Sequence, residues 1–276
     1  MRNISFSMST EAVRDHSKTV TRRVVLFSGG IASWAAARRT VDRYGVEGIT
    51  LLFTDTLTED EDLYRFLKEA AADIGAPFVT IQDGRDIWQI FKDEFFLGNS
   101  RADPCSRILK RGMSRSWLDA NAPDAVVVMG YDWTEIHRHE RAQAAWAPRL
   151  VESPLIESPD QTRANWIAEL EARGIRPPRL YGLGFAHNNC GGGCVKAGVS
   201  HFAQLLRVLP DRYAEWERKE EEVRQHIGKD VSILRDRADG ASKPMTLADL
   251  RSRIEAGVSM PLWDVGGCAC FEEPEA

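Results

Sequence analysis

The sequence predicts an α/β fold with a doubly wound, mostly parallel β-sheet, because short apolar runs alternate with helical patterns through the first half of the chain. The apolar runs are continuous, as in strands that are buried on both faces. They lie at residues 24–27, 49–53, 78–81 and 125–129. The helical patterns lie at residues 31–44, 59–74, 86–96 and 105–120. Folds of this class have right-handed crossovers and bind ligands at the carboxyl ends of their strands.

Glycines mark several element boundaries in this half of the chain. The first strand runs into Gly29 and Gly30, and the fourth ends at Gly130. The first two helical patterns stop at Gly45 and Gly75. Glycine is the usual residue just after a helix, because it adopts the left-handed conformation that closes the last turn.

After residue 130 the pattern is looser and more helical. Helices are predicted at residues 161–173, 210–226 and 246–256, the last with Thr246 as its N-cap. Residues 181–200 are rich in Gly, Asn and Cys, which indicates a functional loop rather than a regular element.

Composition narrows the class of protein. The chain has 276 residues, is 43% hydrophobic and carries a net charge of −5, so its overall charge does not favour nucleic acid or an anionic membrane. No apolar run approaches the ~18 residues of a membrane span, and the first 23 residues lack the apolar core of a secretory signal. We therefore expect a cytoplasmic protein. In that reducing compartment the five cysteines are expected to be metal ligands or catalytic thiols rather than disulfides.

The turn Ser28-Gly29-Gly30-Ile31-Ala32-Ser33 joins the first strand to the first helix. Its two glycines allow an anion to approach the backbone, and the helix N-terminus offers unpaired N–H groups with partial positive charge. Ser28 and Ser33 add hydroxyl donors. We interpret the turn as a phosphate site, the alternative being a tight turn without a ligand. It is neither a Walker loop nor a dinucleotide fingerprint.

This turn resembles the pyrophosphate loop (PP-loop) of the adenine-nucleotide α-hydrolase-like superfamily. That group includes ATP pyrophosphatases and the reductases of phosphoadenylylsulfate (PAPS) and adenylylsulfate. The resemblance implies a Rossmann-like fold that binds an adenine nucleotide through Ser28, Gly29, Gly30 and Ser33. ATP pyrophosphatases usually carry Asp where this chain has Ala32, which favours the sulfonucleotide reductase branch.

The second strand ends in Leu52-Phe53-Thr54-Asp55-Thr56, which resembles a Phe-x-Asp-Thr segment of PAPS reductases. In that family the segment lines the nucleotide site, so Asp55 is expected to accept hydrogen bonds from the nucleotide. The alternative is that Asp55 caps the next turn. The acidic stretch at residues 59–62 is interpreted as a favourable first helical turn.

Cys105 opens a basic helical segment that resembles the Cys-Cys-x-x-Arg-Lys segment of adenylylsulfate reductases, with one cysteine absent. Arg107, Lys110 and Arg111 fall close together on a helix, which predicts an anion between them: a nucleotide phosphate, a sulfate or a negatively charged cluster. Arg107 and Lys110 are therefore predicted to bind the nucleotide. The same charges predict a lowered pKa for the Cys105 thiol. The alternative is a solvated basic helix face.

The fourth strand leads into Gly130, an acidic residue and a pair of arginines, Arg138 and Arg141. The related families place such residues facing the substrate, so both arginines are predicted to bind the nucleotide. His137 and His139 would not share a helical face, which argues against a two-histidine metal site.

Cys190 and Cys194 are separated only by three glycines. Glycines let both sulfurs turn toward one centre, so the pair indicates a metal or redox role. The segment resembles the Cys-x-x-Cys half of the reductase cluster site, with one extra residue. Cys268 and Cys270, near the C-terminus, match in position a cysteine that attacks sulfur in PAPS reductases. Both are therefore candidate catalytic thiols, the alternative being incidental cysteines in a tail.

The resemblance implies a [4Fe–4S] cluster with Cys105, Cys190, Cys194 and Cys270 as ligands, where Cys268 is the other candidate for the fourth position. Thiolate sites also suit zinc, which is the alternative metal. The substrate is expected to be PAPS, adenylylsulfate or ATP. A thioredoxin-like protein is a candidate reductant, and nucleic acid is a candidate partner that the net charge does not favour.

Three functions follow from these features. The first is a sulfonucleotide reductase-like enzyme. The second is an ATP-pyrophosphatase-type sulfurtransferase acting on tRNA or DNA, and the third is a non-enzymatic nucleotide-binding protein with a structural zinc. The expected organisation is a flexible arm at residues 1–22, a PP-loop domain at 23–200, and a helical, cysteine-rich extension at 201–276.

Overall fold

The computed structural model describes residues 20–236 and 242–258. Its main sheet has five parallel strands in the order β3-β2-β1-β4-β5. The strands are β1 (Arg23–Leu26), β2 (Ile49–Asp55), β3 (Phe78–Gln82), β4 (Val126–Val128) and β5 (Val151–Glu152). This sheet confirms the predicted doubly wound α/β fold. The two-residue β5 is too short to give a periodic signal in the sequence.

The strand order changes direction between β1 and β4. β2 and β3 lie on one side of β1, whereas β4 and β5 lie on the other. Such a switch point leaves a crevice at the carboxyl ends of the two central strands, where ligands of doubly wound folds bind. The turn after β1 and the segment after β4 both open into this crevice.

Helices cover both faces of the sheet. In the sheet region they are α1 (Ile31–Tyr44), α2 (Glu61–Ile74), α3 (Ile87–Asp93), α4 (Met113–Asn121), α5 (Ile136–Trp146) and α6 (Arg163–Ala172). One face packs against α1, α2 and α6 through a core that includes Trp34, Phe66 and Trp166. The opposite face packs against α4 and α5 through Leu118 and Trp146.

A third core lies beside the sheet and is built by the C-terminal helices together with α3. These helices are α7 (Arg179–Gly182), α8 (Val199–Val208), α9 (Pro210–Ile227) and α10 (Leu247–Glu255). A short antiparallel pair, β6 (Leu234–Asp236) and β7 (Lys243–Met245), precedes α10. Cys105, Cys190 and Cys194 are part of this core, so all three thiols lie where the C-terminal helices meet the sheet domain.

Several local predictions can be compared with the structure. Thr246 is the N-cap of α10, as predicted, and its hydroxyl accepts the backbone N–H of Asp249 at 3.0 Å. The segment predicted as one helix at residues 105–120 is instead a π-helix, Ser106–Gly112, followed by α4. The boundary predicted at residue 200 falls inside α8.

The flexible arm predicted at residues 1–22 lies mostly outside the described residues, as does the cysteine-rich tail with Cys268 and Cys270. Across residues 20–236 and 242–258, no helix has the length and apolar character needed to cross a bilayer.

Candidate functional site

The turn at residues 28–33, here called the PP-loop after the motif that it resembles, connects β1 to the N-terminus of α1. Its conformation depends on its glycines. Gly29 has a φ of +77°, and a Cβ there would lie 2.3 Å from Cδ1 of Leu63. The positive φ favours glycine at this position, and any side chain would also have to displace the Leu63 side chain. The hydroxyl of Ser33 donates to the Gly30 carbonyl at 2.8 Å, which fixes the first turn of α1. The backbone N–H of Ile31 donates to the phenolic oxygen of Tyr181 at 3.4 Å.

A cavity of about 250 Å³ lies over this loop at the switch point; we call it the switch-point cavity. Ser28, Gly30 and Ser33 form one wall. The segment after β4 forms a second wall, and residues from α6, α7 and the loop before α8 complete it. These further lining residues include Gly130, Tyr131, Asp132, Glu135, Arg138, Arg163, Tyr181 and residues 187–189.

The wall after β4 lies very close to the PP-loop. A Cβ on Gly130 would be 2.9 Å from the carbonyl carbon and oxygen of Ala32, so the two backbones touch. Asp132 caps the short helical turn Trp133–Glu135. Arg138 stacks over the Tyr131 ring, with its guanidinium carbon 4.7 Å from the ring centroid, and pairs with Glu135. A cation is therefore held at the wall of the cavity, where it could meet an anionic ligand.

The three described cysteines line a second, narrow cavity, which we call the thiol cavity. Cys105, Cys190 and Cys194 are all buried and share its walls with Lys110 and Lys196. Thr56, Asp103 and Ser106 also line it. The cavity brings together residues that are far apart in the sequence, from Thr56 to Lys196.

Burial raises the pKa of the Cys105 thiol, and the neighbouring Cys190 and Asp103 raise it further. Lys110 opposes this shift and is outweighed. The predicted lowering of the Cys105 pKa by nearby cations is therefore wrong. The reason is that removal of the thiolate from water costs more than the nearby ammonium returns.

The thiol cavity has the chemistry expected for a thiolate-held metal or cluster. Within residues 20–236 and 242–258, no three His, Cys, Asp or Glu side chains form an assembled metal site. Three buried thiols nevertheless face one cavity beside two lysines, and these cations would offset the charge of metal-bound thiolates. The residue types that line the cavity are therefore ones that such a group could use.

Glu59 holds the thiol cavity in place. Its carboxylate accepts the backbone N–H of Cys190 at 2.7 Å and lies 3.4 Å from the ammonium of Lys110. The side chains of Glu59 and Lys110 are only 2% and 6% exposed. Cys190 has a φ of +49°, which is unusual for a residue other than glycine. The hydrogen bond that the Cys190 N–H donates to Glu59 stabilises this strained conformation.

The segment at residues 187–194, here called the bridge segment, joins the two cavities. Residues 187–189 line the switch-point cavity, whereas Cys190 and Cys194 line the thiol cavity. The side-chain amide of Asn188 donates to the Gly29 carbonyl of the PP-loop at 3.1 Å. A Cβ on Gly193 would lie 2.2 Å from the Trp216 ring, so glycine is required for the segment to pack against α9.

The predicted nucleotide-binding residues divide into two groups in the structure. Ser28, Gly30, Ser33 and Arg138 line the switch-point cavity, and Gly29 belongs to its loop. The remaining predicted residues, Asp55, Arg107, Lys110 and Arg141, do not line it. The Asp55 carboxylate instead accepts the hydroxyl of Tyr64 at 3.0 Å and the backbone N–H of Leu57 at 2.9 Å.

The three basic residues after Cys105 have three different environments. Arg107 pairs with Glu94 at the surface at 2.5 Å. Lys110 lies in the thiol cavity, and Arg111 is buried beside Asp103, with 3.6 Å between charged atoms. They therefore do not surround one anion. The π-helix changes which residues share a face compared with the α-helix that the sequence predicts.

Sequence reasoning missed Glu59, Asn188 and Tyr181. Asn188 lies in the Gly-, Asn- and Cys-rich loop that was predicted to be functional, so a signal was present. Glu59 was interpreted only as part of a helical first turn, and its contact with Cys190 spans 131 residues. Predicted catalytic residues Cys268 and Cys270 lie outside the described residues.

Similarity to known proteins is found among solved structures. No protein-family model matches the sequence, and the search of curated proteins finds no match. Among solved structures, the PAPS reductase from Candida auris, as a phosphate complex, matches with probability 1.00. The match covers 61% of this chain and 80% of that chain, at 15% identity and a TM-score of 0.41.

Proposed function

We propose that the chain is a sulfonucleotide reductase-like enzyme that binds an adenine nucleotide in the switch-point cavity and performs sulfur chemistry beside the thiol cavity. The observation that carries this proposal is the bridge segment. Asn188 contacts the PP-loop, and Cys190, two residues later, faces the other thiols. A nucleotide and a group of thiols would therefore be held side by side by one short loop.

The nucleotide phosphates would bind at the N-terminus of α1. Backbone N–H groups of Gly29 and Gly30 and the hydroxyl of Ser28 are the donors available there, and the helix dipole favours an anion. Arg138 would bind a second anionic group from the opposite wall. This arrangement suits a nucleotide whose phosphoryl group carries a further charged substituent, such as a sulfate.

An iron–sulfur cluster would be held by Cys105, Cys190 and Cys194, with Cys270 or Cys268 as fourth ligand. When bound, such a cluster supplies a redox-active or electrostatically polarising centre whose properties depend on nearby charge and burial. Lys110 and Lys196 would offset the negative charge of its thiolates. Glu59 would fix the backbone of Cys190, and hence the direction of its sulfur.

The tail thiol that is not a ligand would act as the nucleophile. Its thiolate would attack the sulfur of the sulfonucleotide, so that a sulfur–sulfur bond forms while the sulfur–oxygen bond breaks. The electron pair of the broken bond leaves on the nucleotide phosphate. A dithiol of the thioredoxin type would then attack the protein sulfur and release sulfite, and its own oxidation to a disulfide supplies the two electrons.

Metal analysis of anaerobically purified full-length protein tests this proposal first. We expect about four iron and four sulfide per chain, which is the content of one [4Fe–4S] cluster. Cys190→Ser should lower the iron and sulfide contents. The control Ser114→Ala, which changes a buried residue of α4, should leave both unchanged. Stoichiometric zinc without iron would instead support a structural metal site.

Substrate trials follow with PAPS, adenylylsulfate and ATP on the same preparation. Release of sulfite from either sulfonucleotide in the presence of a dithiol would support the reductase. Conversion of ATP to AMP and pyrophosphate, with no turnover of the sulfonucleotides, would replace it with the ATP-pyrophosphatase-type function.

A further inference from the structure

The orientation of the Asn188 side chain is fixed by its partner. Its amide nitrogen donates to the Gly29 carbonyl at 3.1 Å, and a carbonyl oxygen can only accept. The nitrogen must therefore face the PP-loop, and the side-chain oxygen Oδ1 must point the other way. Asn188 is only 3% exposed, so this geometry is held by its surroundings.

The Oδ1 atom of Asn188 has no hydrogen-bond partner. It is buried, and no donor in the part of the chain that the structure describes reaches it. Buried polar atoms are nearly always paired, because an unpaired acceptor loses its hydrogen bonds to water without compensation. Asn188 lines the switch-point cavity, which is where a ligand could supply the missing donor.

The missing donor cannot be an ionised phosphate. Phosphate oxygens at neutral pH accept hydrogen bonds, and an amide oxygen beside them would be repelled. The anion sites of the cavity lie elsewhere, at the N-terminus of α1 and at Arg138. The group that meets Oδ1 must carry an O–H or N–H, and in a nucleotide those groups belong to the nucleoside.

We propose that Asn188 is a specificity-determining residue whose Oδ1 accepts a hydrogen bond from a hydroxyl or amino group of the bound nucleoside. This inference rests on the proposed nucleotide site and adds to it. It assigns one side chain both to the shape of the PP-loop, through Gly29, and to the choice of ligand. The site would thereby select nucleotides over inorganic pyrophosphate.

Binding measurements on the full chain, by calorimetry, test the assignment. The probes are AMP, inorganic pyrophosphate, the 2′-deoxy and 3′-deoxy forms of AMP, and purine riboside 5′-monophosphate, which lacks the amino group. The variant is Asn188→Leu, which keeps the size of the side chain and removes its acceptor. The control is Asn121→Leu at the end of α4, because Asn121 makes the same amide-to-carbonyl bond, to Trp117 at 2.8 Å, and lines neither cavity.

For Asn188→Leu we expect AMP affinity to fall about tenfold more than pyrophosphate affinity does, a difference of about 1.4 kcal/mol, because loss of the bond to Gly29 affects both ligands and loss of Oδ1 affects only AMP. One of the three altered nucleotides should bind wild type about tenfold more weakly than AMP does. That same nucleotide should bind Asn188→Leu as AMP does, which identifies the donor as a ribose hydroxyl or the adenine amino group. Asn121→Leu should match wild type throughout.

Two results would overturn the inference while leaving the nucleotide site intact. One is an equal loss of AMP and pyrophosphate affinity in Asn188→Leu, which would mean that Asn188 only supports the PP-loop. The other is wild-type binding of all three altered nucleotides as tightly as AMP, a result that needs no variant and no folding control. If the wild-type protein binds neither AMP nor pyrophosphate, both this inference and the proposed function fail.

Discussion

The backbone N–H of Cys190 donates to the carboxylate of Glu59 at 2.7 Å, so the loop after β2 is tied directly to the bridge segment. The same carboxylate accepts the hydroxyl of Thr56 at 3.0 Å and lies beside Lys110. Because Thr56 and Lys110 both line the thiol cavity, this one buried carboxylate organises much of its wall. The cavity is thus built around an ion pair as well as around its thiols.

Glu59→Ala should lower the free energy of unfolding by about 3–5 kcal/mol, because it removes the carboxylate from a buried ammonium and from a buried N–H. Urea unfolding measures the change. Glu59→Gln, which keeps an acceptor for Cys190, should lose less. The matched control is Glu69→Ala, whose carboxylate pairs with Arg65 but is 43% exposed; it should lose less than about 1 kcal/mol. Equal losses at both positions would contradict this account.

Gly130→Ala should weaken the binding of pyrophosphate and AMP. The added Cβ would lie 2.9 Å from the Ala32 backbone, so β4 or the PP-loop must move. Overpacking of this kind costs about 1–3 kcal/mol. If the PP-loop moves to relieve it, we expect the affinity for both ligands to fall about tenfold. Calorimetry measures the affinity. Gly182→Ala is the control, since its Cβ would meet no atom within 4 Å; similar affinities for both variants would refute the prediction.

Asp60→Asn should destabilise the contact between α2 and the C-terminal helices. The carboxylate is fully buried and accepts hydrogen bonds from Arg179 at 2.8 Å and Arg212 at 2.5 Å. Burial alone would raise the pKa of Asp60, but these two arginines outweigh it and hold the pKa below its ordinary value. Loss of the charge should cost about 3 kcal/mol in urea unfolding.

Glu61→Gln is the matched control for that variant, because Glu61 contacts the same two arginines but its side chain is 77% exposed. Its cost should stay below about 1 kcal/mol. The sign of the Asp60 pKa shift adds a second readout. A carboxyl group whose pKa is lowered in the folded state stabilises the fold above its ordinary, unfolded pKa. This contribution is lost as the pH falls through the lower, folded-state pKa. Asp60→Asn should therefore resemble wild type more closely at low pH than at pH 7.

The sequence was sufficient for features that depend on neighbouring residues. Continuous apolar runs predicted four of the five parallel strands, and the Thr246 cap and the turn at Gly29 were visible as local patterns. The sequence was not sufficient for features that depend on distant partners. Nothing near Glu59 points to Cys190, which lies 131 positions further along the chain. The roles predicted for the individual site residues remain predictions.

Stability should fall as the pH rises from about 5 to about 8, owing to Glu220. This carboxyl group is buried between α9 and the start of α10, where it accepts the backbone N–H of Ile233 at 2.8 Å and of Leu247 at 2.6 Å. Burial raises its pKa from 4.5 to about 7, although the two N–H groups lower it in part. Between these values the folded chain binds a proton that the unfolded chain has lost.

The contribution of Glu220 is therefore fully present below the unfolded pKa near 4.5 and is lost as the pH passes through about 7. At 1.36 kcal/mol per pH unit, the difference amounts to about 3 kcal/mol. Urea unfolding at pH 5 and pH 8 should show this fall in wild type and a smaller one in Glu220→Gln, which cannot titrate. All other titrating groups are shared by the two proteins, so the difference between their slopes isolates this carboxyl. Parallel pH profiles would mean that Glu220 ionises near its ordinary pKa, and that its two N–H donors offset the effect of its burial.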